Sequence, residues 1–359
     1  SLHEPDIDID DQKEVINCLK SGYVSSAGKE INVFEKKLKS ITKSQFVIPV
    51  INGTSAIHIG LKVVGVKPLD EVLVPSLSFV APVNAILYLN ATPHFVDSEK
   101  DHFAIDPKKL DDYLSKNTLI KKNYCLNKKT KKIIRALILV HVFGHPAKVS
   151  EILKIGKKYK LKIIEDAAES LGSLYKNKQV GTFGDIGILS FNGNKIVTTG
   201  LGGAILTNFK KFAEKSKHLA TTAKIKHPWD FVHDEVGYNY RMPNVNAAVL
   251  VAQLENLNYF LKNKRKLAKN YEDFFKNSNY IFFKELNDSK SNYWLNSIIL
   301  NNKKQRDKFL KATNMRGIMT RPIWKLMNKL TMFRDCQSVD LKNVKFLEER
   351  VVNIPSSVE

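Results

Sequence analysis

Between Phe46 and Thr207, short and almost wholly apolar runs alternate with longer amphipathic ones. "QFVIPV", "EVLVPS", "ATPHFVD", "IIRALILVHVFG", "LKIIEDAAES", "IGILSF" and "GGAILT" read as strands. "SAIHIGLKVVGV", with Ala56, Ile59 and Val63 on one face, and "KVSEILKIGKKYK" carry helical spacing. Strands that are apolar throughout belong to a parallel sheet covered by helices on both faces. The pattern predicts an α/β chain built on a large, mostly parallel sheet, with ligands bound beyond the carboxyl ends of its strands.

Past Pro243 the segment ending "AVLVAQLENLNYFLKNKRKLAKNYEDFF" predicts one long helix, with Asn244 as its cap. From about Phe274 the pattern changes again, to an alternating "SNYWLNSIIL", a helix at "KKQRDKFLKAT" and loops. This part reads as a smaller α+β unit. The expected division is a large domain over 1–250, then the long helix and a small C-terminal domain over 251–359. No internal repeat or low-complexity linker interrupts the chain.

Composition narrows the class. Of 359 residues, 43% are hydrophobic and 26% charged, the profile of an ordinary globular chain. No apolar run is long enough to span a bilayer, and the opening "SLHEPDIDID" lacks the layout of a signal peptide. Cys18, Cys125 and Cys336 are far apart, without metal-finger spacing. A cytoplasmic protein outside any membrane is the expectation. The net charge of +21 raises the question of nucleic acid. Yet "LNKKTKKIIR" and "YFLKNKRKLAKN" lack interleaved aromatics and any nucleic-acid-binding signature, so they read as solvated surface. No nucleic-acid partner is expected.

Three strand-end loops carry candidate chemistry. "NGTSA" opens a helix with Gly53, Thr54 and Ser55, where free N–H groups and two hydroxyls make either an anion seat or a simple cap. Asp166, in "KIIEDAAES", lies just past a buried strand beside Glu165, placed to cap the next turn or to pair with a protonated ring nitrogen. Lys195 stands in the glycine-flanked loop of "LSFNGNKIVTTGLGGAIL", where crowding glycines suggest close approach of backbone to a ligand. Other motifs fail. There is no phosphate-binding P-loop, "TGLGGAIL" lacks the third glycine of a dinucleotide fingerprint, and His141 and His145 lie off a helix, against shared zinc ligation. An anion seat, a strand-end aspartate and a loop lysine together match a pyridoxal 5'-phosphate site, in which lysine bonds the cofactor aldehyde and Asp partners the pyridinium.

The chain also resembles the DegT-type nucleotide-sugar aminotransferases, which are fold-type I pyridoxal phosphate enzymes. The resemblance runs nearly end to end, through "SGYVSSAGKEINVFEKKL", "INGTSAIHIGLKVVGVKPLDEVLVPSLSFVAPVNAI", "IIEDAAESLGS", "GTFGDIGILSFNGNKIVTTG", "VGYNYRMPNVNAAVLVAQLE" and "TRPIWKLMNKL". It implies a seven-stranded sheet domain and a smaller C-terminal domain. It further implies Lys195 as the Schiff-base lysine, Asp166 at the pyridine nitrogen, Phe79 stacked on the ring, and Thr54, Ser55 and Ser190 on the phosphate. Glu169 matches a position near the ring hydroxyl. Asn239 matches an asparagine delivered from a second subunit, which implies a homodimer with shared sites.

For substrate, the resemblance points to the "GYVSSAGK" loop and the "TRPIW" segment. Arg321 is a candidate for the diphosphate, because a guanidinium offers a rigid donor fork. Trp324, Lys29 and Arg241 are further substrate candidates. The implied reaction is transfer of the amino group of L-glutamate to the C4 ketone of a UDP-linked 4-keto-6-deoxy-N-acetylhexosamine, as on legionaminic acid pathways. The alternative is the GDP-4-keto-6-deoxymannose reaction of perosamine synthases. A dehydratase relative would carry histidine in place of Lys195, and a silent cofactor-binding regulator would lack turnover. Leu201 departs from the family, which has Gly or Glu after "TTG".

Overall fold

The computed structural model describes residues 1–358. Its central sheet takes β1 (Phe46–Val50), β2 (Glu71–Pro75), β3 (Thr92–Val96), β4 (Ile133–Val140), β5 (Lys162–Asp166), β6 (Ile186–Ser190) and β7 (Gly203–Thr207). These seven stand in the order β1-β7-β6-β5-β4-β2-β3, and a hairpin of Thr118–Lys121 and Tyr124–Asn127 extends the sheet from β4. β3, β2, β4, β5 and β6 pair in parallel, whereas β7 runs antiparallel to both β6 and β1. The mostly parallel sheet expected from the sequence is what forms, with nine strands instead of seven because the hairpin joins it.

The unbroken apolar runs have a simple cause. Neighbouring residues in a strand point to opposite faces, and here both faces are buried. Val72, Val74, Ile138, Ile164, Ile188 and Ile205 enter one core. Leu73, Leu137, Leu139, Ile163, Leu189 and Leu206 enter the other. The helices α1 (Ile9–Ser21), α2 (Lys29–Thr42), α3 (Gly53–Val63), α4 (Val80–Leu87), α5 (Pro107–Asn117), α6 (Val149–Tyr159) and α7 (Lys210–Ala220) belong to this part of the chain.

The expected single long helix is two, α8 (Asn244–Glu255) and α9 (Leu257–Phe275), broken at Asn256. The Asn256 side chain reaches Asp8 Oδ2 at 2.8 Å, and its own N–H bonds three residues back to Gln253. Asn244 is also not the cap. Pro243 takes that position, and the buried Asn244 amide turns to the N-terminal segment. There it donates to Tyr23 O at 2.7 Å and accepts from Ile31 N at 3.3 Å. It therefore serves the first turn of α2, whose own N-cap, Gly28, has no side chain to offer.

Residues 250 and 251 both lie inside α8, which packs on α1 and α2. α9 passes from the large core, with Phe260, to a third cluster, with Ala268 and Phe275. That cluster lies on a four-stranded antiparallel sheet of β8 (Ile281–Phe282), β9 (Asn296–Ile299), β10 (Arg321–Pro322) and β11 (Val351–Ile354), in the order β8-β9-β11-β10. α10 (Lys303–Met315) and α11 (Lys342–Glu348) complete the chain. Among the described residues no helix is long and apolar enough to cross a membrane.

Candidate active site

A cavity of about 410 Å³ opens at the carboxyl ends of the parallel strands, lined by Thr54, Phe79, Asp166, Glu169, Ser190, Lys195, Leu201, Trp294 and Trp324 among others. Each arrives by a short route. β1 leads through Asn52 into α3, and the Asn52 side chain accepts the Ser55 N–H at 2.8 Å. Among the described residues this leaves the N–H groups of Gly53 and Thr54 without an acceptor, at the positive end of a helix dipole. Gly53 packs so closely on Ser190 that an added Cβ would stand 3.0 Å from the Ser190 Cβ. Ser55 itself is buried and stays out of the cavity lining.

β5 ends in two acids with opposite surroundings. Glu165 accepts N–H bonds from Gly181, Phe183 and Gly184 and faces His141 Nε2 at 3.2 Å. Burial acts to raise its carboxyl, but these bonds outweigh it and hold Glu165 below the usual carboxylate range. His141 Nδ1 accepts the Ala147 N–H at 3.0 Å, which places the imidazole proton on Nε2, toward Glu165. His141 is thus committed to a hydrogen-bond network and not to a metal. Asp166 faces the cavity with far less support. Its Oδ1 accepts the Ala168 N–H at 3.1 Å, so it does cap the turn. Burial pushes its carboxyl up, against that bond and the charge of Lys195.

Lys195 follows β6. Its side chain is 13% exposed, and Nζ lies 3.3 Å from Glu169 Oε1 and 3.9 Å from the centroid of the Trp294 ring. Glu169 Oε2 accepts the N–H of Phe143 at 2.8 Å, a residue held at a left-handed φ of 56°. Burial also raises the Glu169 carboxyl, with Lys195 opposing. The glycines of this loop shape its backbone. Gly200 supplies a left-handed turn (φ 75°), and Gly202 lies against Thr199, where a Cβ would meet Cγ2 at 2.6 Å. They allow the loop to fold on itself.

Phe79, 54% exposed at the start of α4, and the half-buried Trp324 form an aromatic wall, their centroids 6.2 Å apart. The other expected residues lie elsewhere. Asn239 is exposed and accepts from the Arg241 guanidinium at 3.1 Å. Arg241 lines a second cavity of about 430 Å³ with Gly28, Lys210 and Lys217. Arg321 is exposed on β10, opposite Asn353. Lys29 is exposed, 3.8 Å from Glu30. Sequence reasoning missed Trp294, Asn52, Asn192 and Asn194 in the cavity lining. "SNYWLN" gave no hint that its Trp meets a loop a hundred residues upstream.

The donor set fits pyridoxal phosphate. It offers an amine for the aldehyde, a buried carboxyl short of a cation for the ring nitrogen, and a helix N-terminus with hydroxyls for the phosphate. Comparison with known proteins decides the matter: the model of the DegT/DnrJ/EryC1/StrS aminotransferase family matches residues 5–359. The chain belongs to this family. This aminotransferase is accordingly pyridoxal phosphate-dependent and has the architecture of the fold-type I enzymes.

It is 36% identical over 327 residues, 90% of this chain and 84% of the relative, to a GDP-perosamine synthase of Escherichia coli O157:H7. It is 32% identical over 285 residues to the UDP-4-amino-4,6-dideoxy-N-acetyl-beta-L-altrosamine transaminase of Campylobacter jejuni, covering 79% of this chain and 72% of that one. The crystal structure of a DegT/DnrJ/EryC1/StrS aminotransferase from Brucella abortus superposes with a TM-score of 0.87 at 26% identity, covering 96% of this chain and 90% of that one.

Proposed function

We propose that this aminotransferase moves an amino group from L-glutamate to the C4 ketone of a nucleotide-linked 4-keto-6-deoxy sugar, with a UDP-linked N-acetylhexosamine as the first substrate to try. The observation that carries the reading is the convergence of the Lys195 amine and the Asp166 carboxyl on one cavity walled by Phe79. The sequence motifs and the Campylobacter relative's name support the UDP sugar. The Escherichia relative's name supports a second reading, the GDP-4-keto-6-deoxymannose reaction.

Bound pyridoxal phosphate supplies an aldehyde that captures amines and a ring that withdraws electrons. Asp166 would hold the ring nitrogen in its charged form, since an opposite charge at contact favours both charged partners. Gly53 and Thr54 N–H groups and the Thr54 and Ser190 hydroxyls would seat the phosphate, with Ser55 held behind them by Asn52. Phe79 would cover the ring. Lys195 Nζ takes the proton from Cα of glutamate and later delivers one to C4 of the sugar. Glu169 and Trp294 hold that amine between the two steps. Trp324 and Leu201 border the cavity and meet the sugar, while Arg321, Arg241 and Lys29 lie outside its lining and serve the nucleotide if the site extends to them.

The working unit in this reading is a homodimer. Asn239 is exposed and absent from its own chain's cavity lining, and its segment also exposes Trp229, Phe231 and Val236. A second copy covering these side chains would bring Asn239 to the other site. Three free cysteines fit a reducing compartment and support the cytoplasm. The test is to incubate the loaded enzyme with ¹⁵N-glutamate and each keto-sugar nucleotide, then follow label in the product by mass spectrometry. Label in the UDP sugar supports the first reading, label in the GDP sugar alone supports the second, and label in neither removes both.

A further inference from the structure

Among the described residues three aromatic ones have a backbone that bulky side chains avoid. Phe103, Phe143 and Tyr293 stand at left-handed φ values of 54°, 56° and 48°. All three are buried, and they lie close together. The Phe103 and Phe143 ring centroids are 6.0 Å apart, and Tyr293 meets the ring of His145, two residues after Phe143, at 5.1 Å. Strain of this kind persists only where the surroundings over-determine it, and it gathers at functional sites. Here it gathers behind the wall of the Lys195 cavity.

Phe143 (φ 56°, ψ 21°) and Gly144 (φ 94°) form the middle of a turn closed by the His145 N–H on Val142 O at 3.0 Å. These are the angles of a type I′ turn, whose first central position favours Asn, Asp or Gly. Phe143 occupies it and reaches two parts of the site. Its N–H donates to Glu169 Oε2 at 2.8 Å, and its ring centroid lies 4.7 Å from that of Trp324. Trp324 and Phe79, 6.2 Å apart, both line the cavity, whereas Phe143 is wholly buried and does not. Behind Phe143, Phe103 stacks on Phe283 with centroids 3.7 Å apart and planes 10° from parallel. Five rings thus run from the cavity wall into the core, and Phe143 joins the outer pair to the inner.

We propose that Phe143 is a positioning residue for the sugar half of the transfer: its left-handed backbone aims the N–H at Glu169 while its ring backs Trp324 against the sugar. This rests on the reading of Trp324 as a sugar contact. An Asn or Gly here would relax the turn and keep the N–H bond, but would leave the indole without a ring behind it. The ring and the N–H therefore act on different steps. Loss of the ring loosens the wall that meets the sugar and leaves Glu169, Lys195 and the cofactor seat as they are.

The test is Phe143→Leu, which keeps the N–H, an apolar side chain and the same backbone cost, so that only the ring is lost. In the cofactor-loaded enzyme the KM for the keto-sugar nucleotide should rise about 2- to 10-fold, the worth of one aromatic pair. The glutamate half-reaction, measured without sugar, should stay within about twofold of wild type. An unchanged KM, or equal slowing of both half-reactions, would overturn the proposal. Should Phe143→Leu fail to fold by circular dichroism, Phe143→Met is judged by the same two results. A second readout needs neither cofactor nor substrate: fluorine NMR of the chain labelled with 5-fluorotryptophan, its three signals assigned by Trp→Phe variants. The Trp324 signal should shift and broaden in the Phe143 variant while that of the exposed Trp229 stays in place. An unmoved Trp324 signal overturns the proposal. A wild type that accepts no keto sugar removes the sugar reading instead, and leaves the NMR result to decide whether Phe143 holds the wall.

Discussion

Asp166→Asn separates two things that one buried carboxyl does. Asp166 is 6% exposed, and the amide can keep the bond from Ala168 N–H to Oδ1. Only the charge is lost. Burial raises the folded-state pKa of Asp166 above its unfolded value. Such a group stabilises the fold at low pH and loses that contribution as pH rises through its folded pKa. Toward about pH 8 the cofactor-free wild type has lost a stability contribution at this carboxyl, while the variant has nothing there to titrate. Asp166→Asn should therefore melt at the same or a higher temperature there, and the gap should close toward about pH 4.

Activity should move the other way. An opposite charge at contact shifts a partner's pKa by about 1–3 units, or about 1.4–4 kcal/mol. If all of it is felt in the transition state, the glutamate half-reaction slows by about 10- to 1000-fold. Stopped-flow absorbance of the bound cofactor measures that rate, and differential scanning fluorimetry the stability. A variant of full rate, or one less stable than wild type at the higher pH, would refute the reasoning and leave Asp166 as a turn cap.

Three further outcomes follow from the same structure. Glu169→Ala leaves the Phe143 N–H without its acceptor and should cost about 1–3 kcal/mol by urea titration, while Glu169→Gln, which keeps an acceptor, should cost much less; equal losses would contradict this. His102 and His145 are buried with neither ring nitrogen partnered among the described residues, and burial first, then neighbouring charge, holds both at about 3. Their contribution is complete above the unfolded value of 6.5 and falls as pH drops toward 3, by about 1.4 kcal/mol per histidine per pH unit. A melting temperature flat from about pH 7 to pH 5 would contradict it. Gly28→Ala sets a Cβ 2.1 Å from Asn244 Cγ and should destabilise the α2–α8 contact by about 1–3 kcal/mol, with a wild-type melt as the contrary result.

What the sequence revealed follows from what a linear pattern can encode. Val72–Val74 and Ile186–Leu189 are apolar on both faces because two cores flank the sheet, and a run without alternation records that directly. Asp166 was legible because it ends a strand of that sheet, and Lys195 because it stands in the loop that follows one. The break at Asn256 was not, since no Pro or Gly marks it and its side chain answers to Asp8, far back in the chain. Asn244 looked like a cap because caps are read locally, yet its partner is α2. Trp294 was hidden for the same reason: its distance to Lys195 is set by the packing of the C-terminal unit on the large sheet. Arg321, suggested by its motif and its guanidinium fork, lies outside the lining of the Lys195 cavity, as do Lys29 and Arg241.

The central claim is that Lys195 and Asp166 hold pyridoxal phosphate and pass an amino group through it. Its most direct test is the absorption spectrum of the cofactor-loaded protein, recorded before and after L-glutamate and then after the keto-sugar nucleotide, for wild type and Lys195→Ala. The wild-type band of lysine-bound cofactor should disappear with glutamate and return with the keto sugar, and Lys195→Ala should never show it. A folded wild type whose spectrum ignores glutamate, or a Lys195→Ala protein with the wild-type band, would contradict the account.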